Sequence, residues 1–264
     1  MLIKHKKSLG QNFLVDKNII KKIVDEGSLK YNDFVLEIGP GSGNLTEFIL
    51  KKKPNKVFVV EKDKKLIEIL KKKFDNRISI IENDILKVSE NKISKNQLIV
   101  FGNLPYNIST RILTKWILSN DKKYWYKNLI LMFQKEVADR IIAKVNSKNY
   151  GRLSIISNWK LEIQKIMDIS SSCFFPKPKV ESTLLKFTPK LKYFSFESAK
   201  SLEMITRTLF SQRRKKIRSS FKKIFNKNYE NISAKLNIDL NLRPQNLDYE
   251  TYYKITKEYE NLRS

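Results

Sequence analysis

The chain has 264 residues, a hydrophobic fraction of 41%, and 53 Lys+Arg against 27 Asp+Glu, a net charge of +26. Such a length buries one large core and a smaller one, and so much positive charge points to a polyanionic partner, nucleic acid first. One cysteine (Cys173) and one histidine (His5) exclude an internal disulfide framework, argue against a bound metal, and fit the reducing cytosol.

From the amino terminus, Met1 to Lys7 is basic and no apolar stretch follows, so it does not read as a signal peptide. Nor does any apolar run approach the ~18 residues of a membrane span. Ile19, Ile20, Ile23 and Val24 recur at helical spacing within Asp16 to Glu26, with Gly27 as a stop. Phe34 to Ile38 is a strand, Asn44 to Lys53 a helix, Val57 to Val60 a second strand, and Asp63 to Phe74 a charged helix. Ile78 to Ile81 and Leu98 to Phe101 follow as strands, then a helix over Ile108 to Leu118, a strand over Leu129 to Phe133 and a helix over Lys135 to Lys144. This alternation predicts parallel βαβ units in a doubly wound α/β sheet. After Gly151 a helix over Arg152 to Trp159 precedes two strands, Leu161 to Ile169 and Val180 to Phe187. No helix separates that pair, so it is expected to close the sheet as an antiparallel hairpin. From about Pro189 the pattern is helical, which predicts a catalytic domain over 1–189 and a small all-α domain over 190–264.

Motifs sit where the strands end. Glu37-Ile38-Gly39-Pro40-Gly41-Ser42-Gly43 follows the first strand; its glycines let the backbone approach a ligand and aim amide donors at it. Glu61 ends the second strand, placed for ribose hydroxyls, and Asn83-Asp84 the third, where a carboxylate receives an adenine amine. Together these describe a nucleoside cofactor site at the carboxyl edge of the sheet. The G-x-G-x-G spacing differs from the dinucleotide G-x-G-x-x-G without excluding it. Asn103-Leu104-Pro105-Tyr106 ends the fourth strand: an amide and a ring beside a rigid proline suit a flat base with an exocyclic amine. Hydride transfer has no use for such a clamp, and deamination of adenine needs zinc ligands that the chain lacks. S-adenosyl-L-methionine is therefore the expected cofactor.

The ordered set of motifs resembles the bacterial small-subunit (16S) ribosomal RNA adenine N6,N6-dimethyltransferase family over nearly the whole chain. Gln11-Asn12-Phe13-Leu14, Glu37 to Gly41, Glu61, Asp84 and Asn103 to Tyr106 carry the resemblance. So do Phe133-Gln134-Lys135-Glu136-Val137, Tyr150-Gly151-Arg152-Leu153-Ser154, Phe174-Phe175-Pro176-Lys177-Pro178-Lys179-Val180 and Phe210 to Arg218. It implies a Rossmann-like class I methyltransferase fold with a seven-stranded, mostly parallel sheet and a small helical domain. It implies cofactor contacts at Asn12, Leu14, Gly39, Glu61, Asp84 and Asn103, with Gly41 in the same turn. The implied substrate is a pair of adjacent adenosines in the 3′-terminal hairpin loop of 16S rRNA, met by a cytoplasmic monomer in an immature small subunit.

On that reading the Asn103 side-chain carbonyl and the Leu104 backbone carbonyl grip the amine, Pro105 stiffens the turn, Tyr106 stacks on one face of the base, and one ring of the doubled Phe174-Phe175 stacks on the other, motif alignment favouring Phe174. The alternatives are the sister family that methylates 23S rRNA and confers macrolide resistance, and a non-catalytic assembly factor on the same fold. The basic run of Arg213, Arg214, Lys215, Lys216, Arg218, Lys222 and Lys223 reads as an rRNA phosphate contact, extended by Lys4, Lys6 and Lys7. Its bland counterpart is a solvated helix face. His5 reads as a tail residue, Cys173 as a small filler, and Trp116, Trp125 and Trp159 as packing.

Overall fold

The structure, a computed structural model, describes residues 12–119 and 123–263. In chain order it runs β1 (Phe13–Leu14), α1 (Lys17–Asp25), β2 (Phe34–Ile38), α2 (Asn44–Lys51), β3 (Lys56–Glu61), α3 (Lys64–Phe74) and β4 (Ser79–Glu82). Then come β5 (Leu98–Asn103), α4 (Ser109–Ile117), β6 (Tyr126–Gln134), α5 (Lys135–Ile141), α6 (Arg152–Lys160), β7 (Leu161–Ile169), β8 (Phe174–Phe175) and β9 (Ser182–Pro189). Helices α7 (Ala199–Phe210), α8 (Arg218–Phe225), α9 (Tyr229–Lys235) and α10 (Tyr249–Asn261) complete it. None of the described helices is long and apolar enough to cross a membrane.

The chain divides into two compact units. The first takes in Met1–Leu113, Lys122–Ala138 and Ile163–Pro189; the second takes in Thr114–Asp121, Asp139–Glu162 and Lys190–Ser264. A division of the chain after residue 189 therefore leaves out two earlier segments that cluster with the helical unit.

In the first unit seven strands form one sheet in the order β4-β3-β2-β5-β6-β9-β7. The pairs β2/β3, β3/β4, β2/β5 and β5/β6 are parallel, and β6/β9 is antiparallel. β9 thus inserts between β6 and β7 instead of trailing at the edge. Strands covered on both faces read as unbroken apolar runs: Val35, Leu36, Val59, Val100, Phe101 and Leu129 are all fully buried. Ile20, Ile23 and Val24 of α1 and Ile49 of α2 join these strands in one core cluster; burying each such side chain contributes ~1.5–3 kcal/mol. Asp16 caps α1, its Oδ1 accepting from the backbone N–H of Asn18 and Ile19 at 2.9 and 3.0 Å. Gly27, past the end of α1, leaves room for the Phe101 ring, which a Cβ there would strike.

The second unit is organised by buried tyrosines. A buried hydroxyl needs a partner, and Tyr150, Tyr252 and Tyr253 donate to the carbonyls of Leu247, Pro244 and Ile155 at 2.8, 2.7 and 2.9 Å. Tyr150-Gly151-Arg152-Leu153-Ser154 proves to be the start of α6: Ser154 Oγ accepts from Gly151 N at 2.9 Å and donates to Gly151 O at 2.7 Å.

Candidate active site

The sheet reverses direction of winding at β2, with β3 on one side and β5 on the other. Ligands bind outside the carboxyl ends of the strands at such a switch point. The paired registers bring Ile38, Val60 and Gly102 level, so the segments after β2, β3 and β5 share one edge. After β2 the chain turns through Gly39, Gly41 and Gly43, with φ of 65°, 59° and 78°, and Gly43 opens α2. L-residues rarely adopt that left-handed region. A Cβ on Gly39 would meet nothing within 4 Å, so the turn leaves open space there; a Cβ on Gly41 would lie 2.6 Å from the Phe13 ring.

A cleft, partly open to solvent, lies over this edge. Every cofactor residue expected from the sequence lines it: Asn12, Leu14, Gly39, Gly41, Glu61, Asp84 and Asn103. Leu104, Pro105 and Tyr106 line it too. Glu61 Oε1 accepts from the backbone N–H of Lys62 and Asp63 at 2.8 and 2.9 Å. Asp84 caps the next turn, its Oδ1 accepting from Leu86 N at 3.0 Å, while its Oδ2 faces Lys62 Nζ at 3.5 Å. The turn N–H and the Lys62 charge hold the Asp84 carboxyl below its ordinary range.

The amino-terminal segment forms another wall. Asn44 Nδ2 donates to Leu14 O at 2.9 Å, and Asn103 Nδ2 donates to Asn12 O at 2.7 Å. With its nitrogen so engaged, the Asn103 amide keeps its oxygen as an acceptor. Tyr106 Oη lies 2.9 Å from Ser182 Oγ at the start of β9, and burial raises the Tyr106 hydroxyl above its ordinary pKa. Ile108 N donates to Pro105 O at 3.0 Å, closing the turn that leads into α4.

Phe174 departs from expectation. It is 3% exposed, belongs to the core cluster and does not line the cleft. On the two-residue β8 it stands opposite Leu14, which joins the same core cluster and also lines the cleft, so Phe174 packs behind the cleft wall and not on its surface.

Sequence reasoning assigned no role to Glu37, Phe13, Asn44, Lys62 or Ser182, all of which line the cleft or touch a residue that does. Glu37 is 2% exposed and accepts from Thr46 Oγ1 at 2.6 Å. Burial pushes its carboxyl up to about 7, the Thr46 hydrogen bond opposing and the Glu61 charge adding to the rise. Its folded pKa exceeds the ordinary 4.5, so the folded state holds the extra proton; stability is full below about pH 4.5 and falls as pH rises to about 7. Glu37→Gln is expected to remove that slope and to be more stable than wild type above pH 7, by up to roughly 3 kcal/mol. Denaturant melts of both proteins from pH 5 to pH 8 check this; parallel pH profiles would contradict it.

The basic run lies partly off helix. Arg213 to Lys216 occupy the turn between α7 and α8, because Ile217 N and Arg218 N donate to Leu242 O and Leu240 O and draw the chain aside. Arg213 is tied inward, its Nη2 donating to Lys148 O at 2.6 Å and its Nε to Gln245 Oε1 at 3.2 Å. Lys216 reaches Asn241 Oδ1 at 3.0 Å, and Arg218 lies 3.7 Å from Glu230. Arg214, Lys215, Lys222 and Lys223 are exposed. Trp116, Trp125 and Trp159 are buried. Gln11, His5, Lys4, Lys6 and Lys7 lie outside the described residues.

A mostly parallel seven-stranded sheet with a glycine turn, strand-end acids and an Asn-Leu-Pro-Tyr segment around one cleft defines a Rossmann-like class I methyltransferase. The model of the family described as ribosomal RNA adenine dimethylase matches residues 2–261. The chain belongs to that family. It is 58% identical over 263 residues, and over the full length of both chains, to the ribosomal RNA small subunit methyltransferase A of Pelagibacter ubique. Among solved structures, a dimethyladenosine transferase from Plasmodium falciparum superposes with a TM-score of 0.78 at 29% identity, covering 92% of this chain and 95% of that one. The 23S rRNA methyltransferase ErmE shares the fold, with a TM-score of 0.70 at 21% identity over 95% of this chain and all of its own.

Proposed function

We propose that this rRNA adenine dimethyltransferase transfers methyl groups from S-adenosylmethionine to N6 of two adjacent adenosines in the 3′-terminal hairpin loop of 16S rRNA. The substrate choice follows the small-subunit name carried by the relative at 58% identity. The carrying observation is the Asn103 amide, anchored by its nitrogen to Asn12 O with its oxygen left to accept.

The cleft fits the cofactor. Gly39 leaves open the volume a side chain would fill, and Glu61 and Asp84 put carboxylates at the ends of adjacent strands, acceptors for ribose hydroxyls and an adenine amine. Asn12, Leu14, Gly39, Gly41, Glu61, Asp84 and Asn103 would hold it. When bound, it supplies a methyl group already activated on a sulfonium.

The target amine is a weak nucleophile because its lone pair is delocalised into the ring. Asn103 Oδ1 and the Leu104 carbonyl accept its two hydrogens and favour a pyramidal nitrogen with the lone pair directed at the methyl. Pro105 has no N–H and a fixed φ, so it presents the Leu104 carbonyl rigidly. Tyr106 stacks on the base, helping to offset the cost of extruding it from its loop. The nitrogen, once methylated and cationic, sheds its proton to water. Positioning therefore carries the step, and no side chain need act as a general base. The exposed cations around α8 take rRNA phosphates, giving affinity and orientation.

Incubation with labelled S-adenosylmethionine and undermethylated small ribosomal subunits is expected to label 16S rRNA as N6,N6-dimethyladenosine. Label found only in large-subunit RNA would overturn the substrate assignment.

A further inference from the structure

On the β1–β8 ribbon, Phe175 stands opposite Phe13, as Phe174 stands opposite Leu14. Directly opposed residues share a face of an antiparallel pair. Leu14 and Phe174 take the core face; Phe13 and Phe175 take the other. Phe13, like Leu14, lines the cleft, whereas Phe175 stands outside it and is 55% exposed. Val15, whose N–H donates to Cys173 O at 2.9 Å, and Val180, five residues beyond Phe175, are also exposed, at 45% and 43%. Lys177 and Lys179 follow as exposed cations, alternating with Pro176 and Pro178, which stiffen the segment. The next acid, Glu181, is held by Lys135 at 2.7 Å, so the segment's free charge is positive.

An exposed ring flanked by cations on a stiff backbone has the chemistry of a single-stranded nucleic-acid subsite, in which bases stack and ammonium groups take phosphates. We infer that Phe175 is a stacking platform for an unpaired base of the substrate RNA next to the one that enters the cleft, with Lys177 and Lys179 on the flanking phosphates. The inference rests on the RNA-methylating reading above. It explains why neighbouring phenylalanines have opposite fates: Phe174 packs the ribbon onto the core and Phe175 faces the substrate.

The test is the affinity of the full-length protein for undermethylated small subunits, read by titration and independently of turnover. Phe175→Ala is expected to weaken binding about ten-fold, within the range of a lost base–aromatic stack. Phe175→Trp should restore it and Phe175→Leu should not, since a platform needs a flat face and not merely an apolar one. Lys177→Ala with Lys179→Ala should flatten the dependence of log affinity on log salt by up to about two phosphate contacts. S-adenosylmethionine affinity should be unchanged throughout. Equal binding by wild type and Phe175→Ala, or full rescue by leucine, overturns the platform. A wild-type protein that binds the subunits but transfers no methyl would overturn the methylation reading instead, and the binding comparison would still decide the role of Phe175.

Discussion

Asn103→Ala is expected to lower the saturating rate of methyl transfer by on the order of 10²–10³-fold, the loss seen when one preorganised polar group at a reacting centre is removed. The affinity for small subunits should change far less, because RNA binding draws on many phosphate contacts. Asn103 Nδ2 is held by Asn12 O at 2.7 Å, so the amide oxygen is oriented before substrate arrives. Asn103→Asp separates two parts of that account. It keeps an acceptor but sets a carboxylate against the Asn12 carbonyl, so a clamp that depends on preorientation fails in the aspartate variant as well. Single-turnover rates on undermethylated subunits give the answer. An alanine variant within a few-fold of wild type would remove the amine clamp from the mechanism.

The second large effect is expected at Glu61. It accepts from the backbone N–H groups of Lys62 and Asp63 at 2.8 and 2.9 Å; burial raises its carboxyl above the ordinary range, and these bonds together with the Gly41 N–H oppose that rise. It therefore both faces the cleft and ties the glycine turn to the end of β3. A hydrogen bond to a charged group contributes ~1.5–3 kcal/mol. Glu61→Ala should accordingly weaken S-adenosylmethionine binding by about 10–100-fold. S-adenosylhomocysteine should lose as much, since the ribose is common to both, and Glu61→Gln should lose less because it retains one acceptor. Isothermal titration with both ligands checks this. Equal binding by wild type and the alanine variant would place the ribose elsewhere, and tight binding of a nicotinamide dinucleotide would redirect the cofactor assignment.

What the chain reveals before folding depends on the length over which a signal is spread. The seven long strands and α1 to α6 carry apolar periods over several residues each, and they form close to the expected spans. The strand-end motifs were legible for the same reason: a strand's end is a fixed place, and the glycine turn, Glu61, Asp84 and Asn103 all reach one cleft. The β1–β8 ribbon was not, because two residues per strand carry no period. Its alternation alone decides that Phe174 is buried and Phe175 exposed. The turn at Arg213 to Lys216 has no local signal, because backbone bonds to Leu240 and Leu242, remote in sequence, interrupt a composition that reads as helix. Ser182 and Glu37 were hidden for a third reason. A serine is ordinary in sequence until Tyr106 is found 2.9 Å away, and the first acid of a glycine motif acquires its character only through burial.

The placement of β9 between β6 and β7 also governs the order in which the chain can complete itself as it emerges from the ribosome. β6 is the most continuously buried strand of the sheet, with Leu129 to Phe133 all at 0–1% exposure, and it ends at Gln134. Its partner begins only at Ser182. At synthesis rates of about 5–20 residues per second, the far edge of this apolar strand waits several seconds with its backbone donors and acceptors unpaired. An open edge of that kind is a template for other chains, so the nascent protein passes through an interval of exposure to aggregation that ends when β9 slots into place.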